Sequence, residues 1–146
     1  MARYEEWLAL AERCADATGP SRRLDTEIYL TSDGDEDLRA SVPPGVVRNV
    51  YTASSFETRE FTASIDAIAA LIKHGLPGWW ISADLTPFNN ESDVSARVQG
   101  PRWVRQDYEA KAKTPALALC AVFCRAKAEI ARVEEAALAE KESANG

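Results

Sequence analysis

The chain has one histidine, His74, among 146 residues. Any mechanism that uses imidazole as a base therefore has a single candidate, and no Gly-x-Ser-x-Gly elbow accompanies it. His74 sits in the last turn of an apolar-striped segment, where a cationic side chain complements the negative end of a helix dipole. Cysteine is also scarce. Cys14, Cys120 and Cys124 form an odd set with no second pair and no paired histidines, so zinc lacks a ligand set. They read as reduced thiols of a cytosolic protein. Cys120 and Cys124 are four residues apart, share one helical face and are expected in the core. Glycine-rich phosphate cradles are absent: Gly75-Leu76-Pro77-Gly78 is a turn, not a P-loop or a dinucleotide fingerprint. The longest strongly apolar run, Pro115 to Cys124, is about half a membrane span. The start, Met1-Ala2-Arg3-Tyr4-Glu5-Glu6-Trp7, has no apolar signal-peptide core. These absences lead to the expectation of a non-catalytic, cytoplasmic protein with no cofactor, no metal and no membrane partner.

Basic charge is in deficit too. Lys plus Arg number 17 against 23 Asp plus Glu, giving a net charge of −6. A general nucleic-acid binder usually shows the opposite sign. What is present is an ordinary globular composition, with 46% apolar and 27% charged residues, which excludes a disordered or collagen-like chain. The length fits one domain, taken as residues 1–142 with a tail at 143–146.

Along the chain, Tyr4, Trp7, Leu8, Ala11, Cys14 and Ala15 recur at helical spacing, and Gly19-Pro20 is expected to end that helix. Ser21 to Thr31 fits either a strand, through alternating Leu24, Thr26, Ile28 and Leu30, or a short helix capped by Ser21, the reading preferred here. Residues 32–60 show no sustained period and read as a long loop with a short strand at Val46–Thr52. A helix is predicted from Ser64 to His74, with Ile65, Ile68, Ala69 and Ile72 as its stripe. Strands follow at Trp79–Leu85, Val94–Val98 and Trp103–Tyr108, with a polar turn around Asn89-Asn90. Thr114 caps, and Pro115 starts, a helix running to about Lys141. Its apolar side continues through Lys127, Ile130 and Val133, and that leftover stripe points to a homo-oligomer.

Three segments carry a family resemblance: Leu8 to Asp25, Phe61 to Ala67 with Pro77-Gly78-Trp79-Trp80, and Lys113 to Ala121. In order and spacing they resemble the phage ABA sandwich domain. The resemblance implies an α/β fold of the α+β kind, a three-layer α-β-α sandwich in which a small antiparallel sheet is flanked by helices, in a phage-encoded protein. It favours a helix at Ser21–Leu30 and carries no catalytic motif. The insert at about 33–58 and the long C-terminal helix depart from the family pattern.

Chemistry then has two places to reside. Asp33, Asp35, Glu36 and Asp37 surround Gly34 like a loose calcium loop, but the twelfth position is Pro44 where such a loop needs glutamate. A solvated acidic loop is the simpler reading, and its alternative use is charge complementarity to a basic host protein. The one basic island comprises Arg97, Arg102, Arg105, Lys111 and Lys113. Trp79 and Trp80 must point to opposite faces of a strand, so one fills the core and the other either packs under a helix of the sandwich or faces outward, where Trp80 or Trp103 could serve a site with the basic island. The expected ligand site is Trp80, Trp103, Arg97, Arg102, Arg105 and Lys113, with an indole stacking a planar ring and guanidinium groups pairing a phosphate. A small nucleotide-like ligand, held away from its receptor in a counter-defence role, is the first expectation. The alternative is an inhibitor that uses the acidic surface to bind a host defence protein.

Overall fold

The computed structural model describes residues 3–87, 92–101 and 106–145. Among these residues, four helices and two three-stranded antiparallel sheets follow in the order α1 (Tyr4–Asp16), α2 (Arg22–Asp33), β1 (Leu38–Ala40), β2 (Val46–Asn49), β3 (Ser55–Glu57), α3 (Ile65–Gly75), β4 (Trp80–Ala83), β5 (Val94–Gln99), β6 (Asp107–Ala112) and α4 (Pro115–Asn145). The α/β class, the small antiparallel sheet and the long C-terminal helix are as the sequence implied. The strand burial adds the order of the layers. Val94, Ala96, Val98, Ala110 and Ala112 are buried on one face of the β4–β5–β6 sheet. That face lies on α4, with α1 and α3 beyond it. The other face is polar, and no helix covers it among the described residues.

The core is centred on the first half of α4. Leu117, Cys120, Val122, Phe123 and Cys124 are all fully buried there. Phe123 meets Trp7 edge-on at 5.8 Å, a favoured aromatic geometry. Its other side lies against Gly75, where a Cβ would come within 3.0 Å of the ring. Gly75 is the last residue of α3 and has no positive φ. Glycine serves there to let two helices approach, not to reverse the chain. Gly19 likewise does not take the left-handed conformation; α1 ends when Ala17 turns extended, at φ −63° and ψ 139°.

Local chemistry starts the other helices as expected. Ser21 Oγ accepts from Leu24 N, Ser64 Oγ from Ala67 N, and Thr114 Oγ1 from Leu117 N. Each satisfies an amide that the helix itself leaves unpaired. The helical reading of Ser21–Thr31 stands, and Gly34 closes α2 with φ 72°.

Three expectations are corrected. The insert is no loop with one strand: β1, β2 and β3 form a sheet of their own, in the registers Ala40 to Val47 and Val47 to Phe56. Its inner face rests on α2, where Tyr29 meets Phe56 edge-on at 5.4 Å. A hub of polar groups fixes it. Asp25, 1% exposed, accepts from Arg22 Nη1 at 2.7 Å and from Thr62 N and Thr62 Oγ1 at 2.8 Å. Arg22 also donates to the carbonyls of Thr58 and Gly45, while Gly45 N donates to Thr26 Oγ1. Second, the last strand, expected at Trp103–Tyr108, continues past Tyr108 to Ala112, and residues 103–105 of that expectation lie outside the described residues. Third, α4 continues to Asn145, past the expected stop near Lys141. Glu and Ala at its distal turns keep it helical by propensity where packing no longer holds it.

Candidate ligand-binding face

The face opposite α4 is where β4, β5 and β6 place their outward residues. The register pairs Trp80 with Gln99 and Asp107, Ser82 with Arg97 and Glu109, and Ser95 with Lys111. Alternation along each strand puts all of these on one side. Trp79 and Trp80 do point apart. Trp79 lies on the helix side, stacked on Tyr108 at 6.1 Å. Trp80 is 75% exposed on the outer side. A depression of about 350 Å³ on this side is lined by Ser82, Asp84, Ser95, Arg97, Glu109 and Lys111, and Trp80 stands outside its lining.

Electrostatics on this face is a lattice of opposite charges. Arg97 lies 3.5 Å from Asp107 by Nε and 3.5 Å from Glu109 by Nη2. Ser95 Oγ donates to Glu109 Oε1 at 2.6 Å. That bond, followed by the Arg97 bond, holds the Glu109 carboxyl below its usual range. Lys113 reaches Asp93 at 2.7 Å and lowers that carboxyl in the same way. The arrangement sets the Arg97 guanidinium between Asp107 and Glu109, on the same side of the sheet as Ser82, Ser95 and the exposed Trp80. It is suited to hydrogen-bonding and stacking.

Of the residues expected to form a site, Trp80 and Arg97 fall on one face as diagonal neighbours, about 7–8 Å apart at that spacing. Lys113 continues the outer side of β6, opposite Asp93 and six residues along from the Trp80 row, about 20 Å away at strand rise. It is therefore at the far end of the sheet from Trp80. Arg102, Trp103 and Arg105 lie outside the described residues, as does the turn at Asn89-Asn90. Sequence reasoning missed Ser82, Ser95 and Glu109. Their signal was the strand alternation that places them beside Arg97, visible only once the register is known.

The remaining candidates resolve simply. His74 is exposed in the last turn of α3. Among the described residues no group of His, Cys, Asp and Glu has the arrangement of a metal site. Cys14, Cys120 and Cys124 are buried free thiols. Cys120 donates to the carbonyl of Phe61 at 3.3 Å. Among the described residues no helix is long and apolar enough to cross a membrane. Compared with known protein families, curated proteins and solved structures, the chain finds no match.

Proposed function

We propose that the protein is a non-catalytic binding protein whose outer sheet face holds a small anionic ligand bearing a planar ring, of the nucleotide type. One observation carries this reading: Trp80 and Arg97 share an open face with Ser82 and Ser95. A ring stacks on the Trp80 indole, an interaction worth about 1–3 kcal/mol for a base. A phosphate takes the place of Asp107 or Glu109 on the Arg97 guanidinium, with bidentate geometry available to it. Ser82 supplies a hydroxyl donor, and Ser95 a second once the ligand displaces Glu109 from it. A polymer would meet the negative remainder of the molecule, whereas a small ligand meets only the local face. Holding such a ligand away from its receptor requires no chemistry, which accords with the phage accessory role that the resemblance implies.

Calorimetric titration with cyclic oligonucleotides and ADP-ribose derivatives tests this. Binding is expected, and Trp80→Ala and Arg97→Ala are each expected to abolish most of it. An absence of heat with every anionic nucleotide overturns the reading. A second reading, inhibition of a basic host protein, draws on a different observation: Glu5, Glu6, Glu12, Asp16, Asp33, Asp35 and Glu36 are all exposed. Capture of a stoichiometric partner that is released by salt would favour it.

A further inference from the structure

The β4–β5–β6 sheet ends at β4, and the backbone of that edge has a definite phase. Asp84 N donates to Ser95 O at 2.9 Å. Residues 84 and 95 continue the register that pairs Trp80 with Gln99 and Ser82 with Arg97. In an antiparallel pair, hydrogen-bonded and non-hydrogen-bonded positions alternate. The N–H and C=O groups of Trp80, Ser82 and Asp84 therefore point to β5. Those of Ile81 and Ala83 point away from the sheet, and no described residue meets them.

Edges of this kind are normally blunted by lysine, proline, a bulge or a covering element. From Trp79 to Ala83 the sequence Trp-Trp-Ile-Ser-Ala has no charge and no proline. Among the described residues the edge is only partly covered on its sides. Ile81 lies on the helix side yet is 39% exposed, and Leu85, of the same parity, is 76% exposed. Both stand at the margin of the sheet, where the contact of α4 with β4 is slight.

We propose that a second copy of this chain pairs with β4, antiparallel, about a twofold axis at Ser82, making one continuous six-stranded sheet. This inference is independent of the ligand reading above. The phase requires outward-pointing residues to face one another, and of the registers that do so the one centred on Ser82 uses only the outward residues of β4 itself. Ile81 then pairs with the partner subunit's Ala83, and Ala83 with the partner subunit's Ile81. Both N–H and both C=O groups of each copy's two free residues are then bonded. The same register places Trp80 beside the partner subunit's Asp84 and Ser82 beside the partner subunit's Ser82. No like charges are opposed, a condition that self-pairing of a charged edge would break. It also brings two apolar flanks together, covering Ile81 and Leu85 of both copies. An unrelated extended peptide would gain the backbone bonds, but not the self-complementary covering of Ile81 and Leu85. The exposed turns of α4 are the other surface for a homo-oligomer. There Val133 and Leu138 are interrupted at every turn by Glu and Lys, and no backbone group is left unbonded.

Sedimentation velocity on the full chain reads the assembly. The expected particle has twice the chain mass. Ile81→Pro removes an outward N–H without taking a bond from β5, and it is expected to give a folded monomer by circular dichroism and sedimentation. Ala83→Lys is expected to do the same and serves if the proline variant fails to fold. Val133→Glu with Leu138→Glu is expected to leave the dimer intact. Geometry is tested separately by Ser82→Cys. Across the twofold axis these residues form a non-hydrogen-bonded pair, about 4.5 Å apart at Cα, within disulfide reach. Diamide, taking one hydrogen from each thiol, is expected to give a reducible covalent dimer. The same treatment of Arg48→Cys, exposed on the other sheet, is expected to give none. A wild-type monomer at the highest soluble concentration overturns the proposal. So does a dimer that survives both edge variants, or a Ser82→Cys dimer that does not cross-link.

Discussion

Two glycines with positive φ separate the cost of a backbone conformation from the cost of a crowded site. Gly34, at φ 72°, has nothing within 4 Å of a would-be Cβ, whereas at Gly45, φ 97°, that carbon would stand 2.5 Å from Arg22 Nε. Gly34→Ala is expected to cost about 1 kcal/mol, the left-handed penalty alone. Gly45→Ala adds displacement of Arg22 from Asp25, leaving a buried carboxylate without its cation, and is expected to cost about 3 kcal/mol or more. Urea denaturation of the two variants checks the difference. A second residue-scale effect concerns the thiols. The neighbouring thiols, Cys120 first and then Cys124, hold Cys14 well below its ordinary value, at about 5, against the opposing effect of burial. Burial pushes Cys120 and Cys124 themselves up. The unfolded thiols titrate near pH 8.5, to within about a unit. Between pH 5 and that value the unfolded chain binds the extra proton at Cys14, so stability rises with pH. Above it the unfolded chain sheds protons that Cys120 and Cys124 retain, and stability falls. The contribution of Cys14 is thus lost as pH falls through about 5. In Cys14→Ala the rising limb of a stability–pH profile is expected to flatten, while the alkaline fall remains.

Elements differ in how far their own residues determine them, and α4 shows both regimes. Up to Ala131 it is packed, with Lys127 lying 5.7 Å over the Trp7 ring. Beyond that, Glu135 still accepts from Tyr4 N and lies near Arg3, and residues 136–144 are exposed. Ending the chain after Glu135 is therefore expected to change stability by no more than about 0.5 kcal/mol. Ending it after Ala126 removes the Trp7 and Ala131 contacts and is expected to lower the melting temperature sharply; thermal melts of the two truncations check this. The same distinction explains what was legible in the sequence. The helices were readable because their caps and stripes are local: Ser21, Ser64 and Thr114 act within three residues of themselves. Val94, Ala96 and Val98 alternate clearly enough to show a strand. The sheet β1–β2–β3 was not readable, since its strands of 3, 4 and 3 residues are too short for a period to emerge. What holds them is distant in sequence, namely Arg22, Thr26 and Tyr29 of α2. The outward placing of Trp80 was legible from alternation along the strand, and its 75% exposure bears that placing out.

For the whole molecule, the distribution of charge in space differs from its distribution along the chain. Residues 94–113 carry five basic and two acidic groups in sequence. Folding brings Asp93 to Lys113, and Asp107 and Glu109 to Arg97, so this sheet face presents paired charges in a molecule of net charge −6. Exposed pairs of this sort contribute little to stability. Their consequence lies in competition: an anion reaching Arg97 must displace a carboxylate. Removing the competitors is therefore expected to strengthen binding at this face. Asp107→Asn with Glu109→Gln is expected to tighten an anionic nucleotide by about 2–5-fold, the range that exposed pairs of up to about 1 kcal/mol allow. Added salt is expected to narrow the gap, because both the pair and the ligand contact are screened over about 8 Å. Glu109 is held low, so it stays charged from neutral pH down to its depressed value, and wild-type affinity is expected to be flat from pH 8 to pH 5. As pH falls through that value Glu109 takes up a proton, frees Arg97, and the wild type is expected to approach the double variant. Calorimetry on both proteins across pH and salt measures all three trends. Unchanged or weaker binding in the double variant would show that Arg97 does not touch the ligand.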